Sequence, residues 1–63
     1  MDNNLYNLML QLTQEQKSIW RIGKYYVNDA GGCEECRNFW QNLKTDKENL
    51  VRQMKDLIKK HLG

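Results

Sequence analysis

Two cysteines separated by two residues are the part of the sequence with the clearest potential for chemistry. Cys33-Glu34-Glu35-Cys36 follows a pair of glycines and opens a stretch free of glycine and proline as far as residue 62, so we expect it at the start of a helix. The dipole and free N–H groups at a helix start lower thiol pKa values, and dithiol redox sites use this arrangement. The two glutamates would raise the pKa. A redox pair and structural thiols, with Cys36 as a small core residue, both fit the motif.

A zinc site shared between two chains is another interpretation of the same cysteines. The sequence has no second cysteine pair to complete a four-cysteine site, and its one histidine is His61. In an antiparallel dimer, His61 of one chain could approach the loop end of the other, where Cys33 and Cys36 would supply two thiolates. His61 otherwise suits a helix end. No nucleophile, base and orienting group can be assembled around it, so we do not expect an enzyme.

The apolar spacing predicts an all-α chain of two helices and a single domain, residues 1–63. A helix over about residues 33–62 has a face that steps by four and three, and a helix over about residues 3–28 has a similar face. The predicted faces comprise Cys36, Trp40, Leu43, Lys47, Leu50, Met54, Leu57 and His61 in the second helix, and Leu5, Leu8, Leu12, Glu15, Ile19, Ile22 and Tyr26 in the first. The loop, residues 29–32, contains Gly31 and Gly32, and its shortness makes the helices an antiparallel hairpin.

Capping signals refine these boundaries. Asp2 or Asn3 could cap the first helix through a side-chain oxygen. Sequences resembling capping boxes begin at Thr13 and at Thr45, so either helix could break there. The apolar pattern continues through both positions, and we therefore favour two unbroken helices.

One charged residue interrupts the apolar face of each predicted helix. Folding the chain about Gly31 brings these two residues, Glu15 and Lys47, to the same level. Opposite charges at one level predict a structural ion pair that fixes the alignment of the helices more than it adds stability.

Apolar residues outside these two faces predict self-association. They form a second stripe on the first helix and flank the face of the second, and two helices cannot cover them. We expect a homodimer in which two hairpins form a four-helix bundle, or the docking of another protein on the same surface. The predicted interface residues are Tyr6, Met9, Trp20, Val27, Phe39, Val51 and Ile58.

The second helix resembles the corresponding helix of ferritin-like, rubrerythrin-type half-bundles. That family has an aromatic residue, a leucine three positions later, and then a Glu-x-x-His pair. Trp40 and Leu43 match the first two positions, but Lys47 and Leu50 stand where the metal-binding glutamate and histidine would be. The resemblance implies a ferritin-like bundle without its metal centre, and it does not imply di-iron oxidase activity.

Charge and hydropathy narrow the remaining function classes. Ten basic and eight acidic residues are interspersed, giving a net charge of +2. A nucleic-acid surface needs clustered basic residues, so we do not expect nucleic acid as a partner. Asn7 and Gln11 interrupt the apolar run near the N-terminus, which argues against a signal peptide or membrane span and favours a cytoplasmic location. We therefore predict a non-enzymatic self-association or protein-interaction module, with a small thiol-redox or zinc-binding protein as the alternative.

Overall fold

The computed structural model describes residues 2–63, and Met1 of the predicted domain lies outside this range. The described chain forms two helical arms that pack antiparallel as a hairpin with principal extents of 47 × 15 × 13 Å. Its elements in order are helix α1 (Asn3–Arg21), a π-helical segment (Ile22–Tyr26), helix α2 (Val27–Asp29) and helix α3 (Glu34–Leu62). The all-α antiparallel hairpin predicted from the apolar spacing is confirmed.

The first arm runs from Asn3 to Asp29 without a break but contains one widened turn. Asp2 is its N-cap, and its carboxylate accepts a hydrogen bond of 2.9 Å from the backbone N–H of Asn4. Thr13 does not start a new helix, because its hydroxyl donates to the carbonyl of Met9 one turn earlier. The π-helical turn begins at Ile22, whose side chain is 1% exposed.

The loop is a tight reversal centred on the two glycines. Gly31 has a φ of +57°, the left-handed conformation that terminates many helices and that favours glycine because it has no Cβ. The N–H of Gly31 donates to the carbonyl of Asn28, and the N–H of Cys33 donates to the carbonyl of Ala30. These bonds return the chain directly into α3.

Helix α3 is a single helix of 29 residues. Thr45, like Thr13, donates its hydroxyl to a carbonyl four residues earlier, that of Gln41. The predicted alternative of a break at Thr45 therefore does not occur. Glu34 and Glu35 in the first turn and Lys59, Lys60 and His61 in the last turn complement the helix dipole.

The core confirms the predicted face of the first arm but not all of the predicted face of α3. Every residue predicted to line the first arm is buried or half-buried. In α3, the residues facing α1 are instead Trp40, Leu43, Lys44, Lys47, Val51, Met54 and Ile58. Cys36, Leu50 and Leu57 are exposed, so their predicted places in the core were wrong. Neighbouring residues on a helix point about 100° apart, and α3 is rotated so that Val51 rather than Leu50 faces α1.

Near the loop, the two arms are held by aromatic side chains. The rings of Tyr26 and Trp40 lie 4.9 Å apart, and Phe39 packs edge-to-face on Trp40 at 5.1 Å. The predicted alignment placed Tyr26 opposite Cys36. Because Cys36 lies in the exposed first turn of α3, Tyr26 contacts Trp40 one turn further along. Gly23 leaves room for the side chain of Lys44, which passes close to the π-helical turn.

Candidate functional site

The ion pair lies between the two arms of the hairpin. Lys47 Nζ donates to Glu15 Oε2 at 2.7 Å, with 20% of the Lys47 side chain and 13% of the Glu15 side chain exposed. Gln11 donates a second hydrogen bond of 3.0 Å to the same carboxylate. The hydrogen bond from Lys47 holds the pKa of Glu15 below its usual value, against the opposing effect of partial burial. Lys47 stands at the position where a ferritin-like bundle would have a glutamate ligand, and in this hairpin it is the cation of a salt bridge.

The two cysteines lie together at the start of α3. Cys33 is the N-cap, and its sulfur accepts a hydrogen bond of 3.3 Å from the backbone N–H of Cys36. Both side chains are exposed, and both cysteines are free thiols. A hydrogen bond from the Cys36 thiol lowers the pKa of Cys33, and backbone N–H groups of Cys36 and Glu35 lower it further. The same hydrogen bond raises the pKa of Cys36. The two thiols are therefore chemically unequal.

His61 lies at the far end of the hairpin from the cysteines. Its Nε2 is 3.5 Å from the side-chain nitrogen of Asn4, beside the start of α1. Cys36 and His61 are 25 positions apart on one helix, which corresponds to roughly 38 Å at about 1.5 Å per residue. Within residues 2–63, no group of three or more His, Cys, Asp or Glu side chains could hold a metal ion. One chain therefore does not bring Cys33, Cys36 and His61 together, and a zinc site between chains stays a prediction.

The residues predicted for an interface divide into exposed and buried sets. Tyr6, Met9, Trp20 and Phe39 are between 43% and 58% exposed. Val27 and Ile58 are half-buried, and Val51 is only 7% exposed. The structure differs most from the sequence prediction at Val51, because this side chain fills the space between α1 and α3 and has little surface left for a partner.

The rotation of α3 places a different set of apolar side chains on its flank. Leu43, Leu50 and Leu57 recur every seven residues, and Phe39 precedes Leu50 by eleven, so all four lie within a fraction of a turn of one line along the helix. Phe39 is 58% exposed, Leu50 44% and Leu57 45%. We call these four residues the leucine stripe. A leucine at every seventh residue is a pattern that coiled coils bury between helices.

The exposed aromatic residue of α1, Trp20, is partly covered within its own arm. Tyr25 packs edge-to-face on Trp20 with ring centroids 5.5 Å apart, and Lys24 Nζ lies 5.3 Å from the Trp20 ring centroid. A cation over an indole ring is a favourable contact that needs no partner chain. In the leucine stripe, Phe39 packs on Trp40 and Leu43 faces α1, but Leu50 and Leu57 remain nearly half exposed at heptad spacing, which makes the stripe the stronger candidate interface.

The basic side chains of α3 lie on another part of its surface. Arg52, Lys55 and Lys59 border a groove that also contains Leu12 and Ile58. No helix of the described residues is long and apolar enough to cross a membrane.

Comparison of the chain with protein-family models, with curated proteins and with solved structures finds no significant match. The resemblance to ferritin-like half-bundles therefore stays a prediction. In the hairpin, the position of the expected histidine ligand is Leu50, which is exposed. A metal centre of that type would depend on positions 47 and 50. Lys47 is in an ion pair, and Leu50 is on the leucine stripe.

Proposed function

We propose that this chain is a non-enzymatic self-association module in which two hairpins pack through their leucine stripes into a four-helix bundle. The observation that carries the proposal is that Leu50 and Leu57, at heptad spacing, are nearly half exposed. Within the described residues only Ile22 and Val51 are buried apolar side chains. A chain of 63 residues with so small a core gains most from a partner that covers apolar surface.

A second copy is the occupant that the leucine stripe fits best. A two-fold interface uses the same surface on both chains, so an apolar stripe meets an apolar stripe. Leu43 and Leu57 are each seven residues from Leu50. If the two α3 helices pack antiparallel about Leu50, Leu43 of one copy meets Leu57 of the other, and Leu50 meets itself. The ferritin-like resemblance enters this proposal only as a bundle architecture.

The exposed area limits the strength of the dimer. Complete burial of a leucine or phenylalanine contributes about 1.5–3 kcal/mol. Phe39, Leu50 and Leu57 each have about half of that surface left to bury, so the two copies together gain on the order of 6 kcal/mol. Association costs at least about 4 kcal/mol in lost freedom. The difference of about 2 kcal/mol corresponds to a dissociation constant on the order of tens of millimolar, so we expect a weak dimer whose population rises with concentration in the millimolar range.

Sedimentation over a concentration series tests the proposal. The double variant Leu50→Glu/Leu57→Glu places two charges on the stripe and should stay monomeric at concentrations at which the unmodified chain dimerises. The matched control Gln41→Glu/Asn49→Glu adds the same charge at exposed positions that point at least about 80° away from the stripe, and it should dimerise as the unmodified chain does. Circular dichroism verifies that both variants remain helical. A chain that is monomeric at every concentration, or a control that loses dimerisation equally, contradicts the proposal.

A cross-linking experiment tests the antiparallel arrangement. In a background with Cys33→Ser and Cys36→Ser, we expect Leu50→Cys to form a disulfide-linked dimer on mild oxidation, because the two copies of residue 50 meet at the centre. Gln41→Cys, in the same background and also exposed but on the opposite side of α3, should not cross-link at a comparable rate. Equal cross-linking at both positions would show random collision rather than a defined interface.

A further inference from the structure

The two thiols at the start of α3 are not used by the self-association surface. Cys33 has an extended backbone with φ −81° and ψ 96°, so it stands just outside the helix while Cys36 lies in the first turn. The Cys33 sulfur accepts a hydrogen bond of 3.3 Å from the backbone N–H of Cys36. The Cys33 sulfur therefore lies against the first turn of α3 beside residue 36, and both cysteine side chains are exposed to solvent.

We propose that Cys33 and Cys36 form a dithiol–disulfide exchange site that reduces a neutral or cationic disulfide. The Cys33 thiolate attacks one sulfur of the substrate disulfide, forms a mixed disulfide, and releases the other sulfur as a thiolate that takes up a proton. The Cys36 thiol then loses its proton and attacks Cys33 Sγ, closing the Cys33–Cys36 disulfide and releasing the second substrate thiol. Two electrons and two protons pass from the dithiol to the substrate.

The assignment of roles follows from the hydrogen bonds. Cys33 receives hydrogen bonds at its sulfur, which stabilise a thiolate and favour it as the attacking group. The side-chain hydrogen bond with Cys33 raises the pKa of Cys36, which favours Cys36 as the protonated, resolving thiol. Cys33 Sγ lies 3.3 Å from the backbone nitrogen of Cys36, so the resolving residue is held next to the atom that it must attack and the second step is intramolecular.

The charge around the thiols selects the class of substrate. Glu34 and Glu35 are both exposed and lie between the cysteines in sequence, whereas Arg37 is the one cation within the first turn and a half of α3. The net negative charge repels an anionic disulfide and attracts a cationic one. At a separation of about 7 Å in water, the interaction of one pair of unit charges changes the reaction rate by roughly three-fold.

The reaction of the reduced chain with three disulfides tests this proposal: cystamine (cationic), hydroxyethyl disulfide (neutral) and oxidised glutathione (anionic). Intact mass should show an internal disulfide and no stable adduct. At low salt, cystamine should react at least three-fold faster than hydroxyethyl disulfide, with glutathione slowest. High salt, or Glu34→Gln/Glu35→Gln, should reduce the differences. Rate ratios among the three disulfides that are unchanged in the Gln variant would overturn the substrate class.

Single serine variants test the two roles. Cys36→Ser should accumulate a mixed disulfide on Cys33, because the hydroxyl can still donate to the sulfur but cannot resolve the adduct. Cys33→Ser should react several-fold more slowly, and serine preserves the helix cap, which circular dichroism verifies. Equal reactivity of the two variants, or stable adducts on both cysteines of the unmodified chain, would overturn the proposal. Because the Cys36→Ser and Cys33→Ser rates are measured at concentrations where the chain is monomeric, this result is independent of dimer formation.

Discussion

The ion pair between Glu15 and Lys47 should lose stability when one partner is removed but not when both are replaced by apolar residues. Lys47→Met leaves the Glu15 carboxylate, which is 13% exposed, with Gln11 as its remaining hydrogen-bond donor. Leaving a buried polar group without its partner costs about 1–3 kcal/mol, and breaking a fully buried ion pair about 3–5 kcal/mol. Because water reaches the edge of this pair, we expect about 2 kcal/mol for Lys47→Met.

The double variant Glu15→Leu/Lys47→Met distinguishes an interaction specific to the two charges from independent losses of stability at the two positions. An apolar pair of similar volume removes both charges and their desolvation cost, so the double variant should be within about 1 kcal/mol of the unmodified chain. For a domain of this size, each kcal/mol corresponds to about 4–8 °C in melting temperature. Lys47→Met should therefore melt roughly 8–16 °C lower, and the double variant should recover most of that loss.

The assay is thermal and urea unfolding followed by circular dichroism, at one protein concentration low enough to keep every variant monomeric. Lys55→Met is the matched control, because Lys55 is exposed and its replacement should change stability by no more than about 0.5 kcal/mol. A double variant that loses as much stability as the two single variants combined would refute the reasoning, because it would show that the two charges do not act as a unit.

The remaining predictions concern pH, the loop and the first helix cap. Because the folded-state pKa of Glu15 is lowered, its contribution to stability is complete above the usual glutamate pKa of about 4.3 and is lost as pH falls through the lowered value. The stability difference between the unmodified chain and Glu15→Gln should therefore shrink in acid, and a constant difference would contradict this. Gly31→Ala should cost about 1–2 kcal/mol in urea unfolding because of its positive φ, whereas Gly32→Ala should cost much less. Asp2→Ala should lower stability by about 1 kcal/mol and Asp2→Ser by far less, and equal losses would exclude the cap as the cause.

The features that were predicted from sequence are those that depend on local chemistry. Gly31 and its neighbours predicted the reversal of the chain because few other residues adopt a left-handed conformation with so little steric strain. Glu15 and Lys47 were predicted to lie opposite each other in the hairpin because each is the charged residue that interrupts an apolar face. In the structure they form the ion pair. The π-helical turn at Ile22 had no such signal. The phase change that a widened turn introduces cannot be seen from apolar spacing.

The choice of the α3 face was the point at which periodicity alone could not decide, and this choice determines the candidate interface. Leu50 and Val51 are adjacent, as are Leu57 and Ile58, so either member of each pair can continue a pattern of fours and threes. A row that repeats every seven residues also drifts by about 20° per repeat on a straight helix, which carries Leu57 progressively away from a line that starts at Cys36. The structure buries Val51 and half-buries Ile58 against α1. The same rotation that completes the hairpin core therefore leaves Leu50 and Leu57 exposed, on the surface through which we propose that a second copy packs.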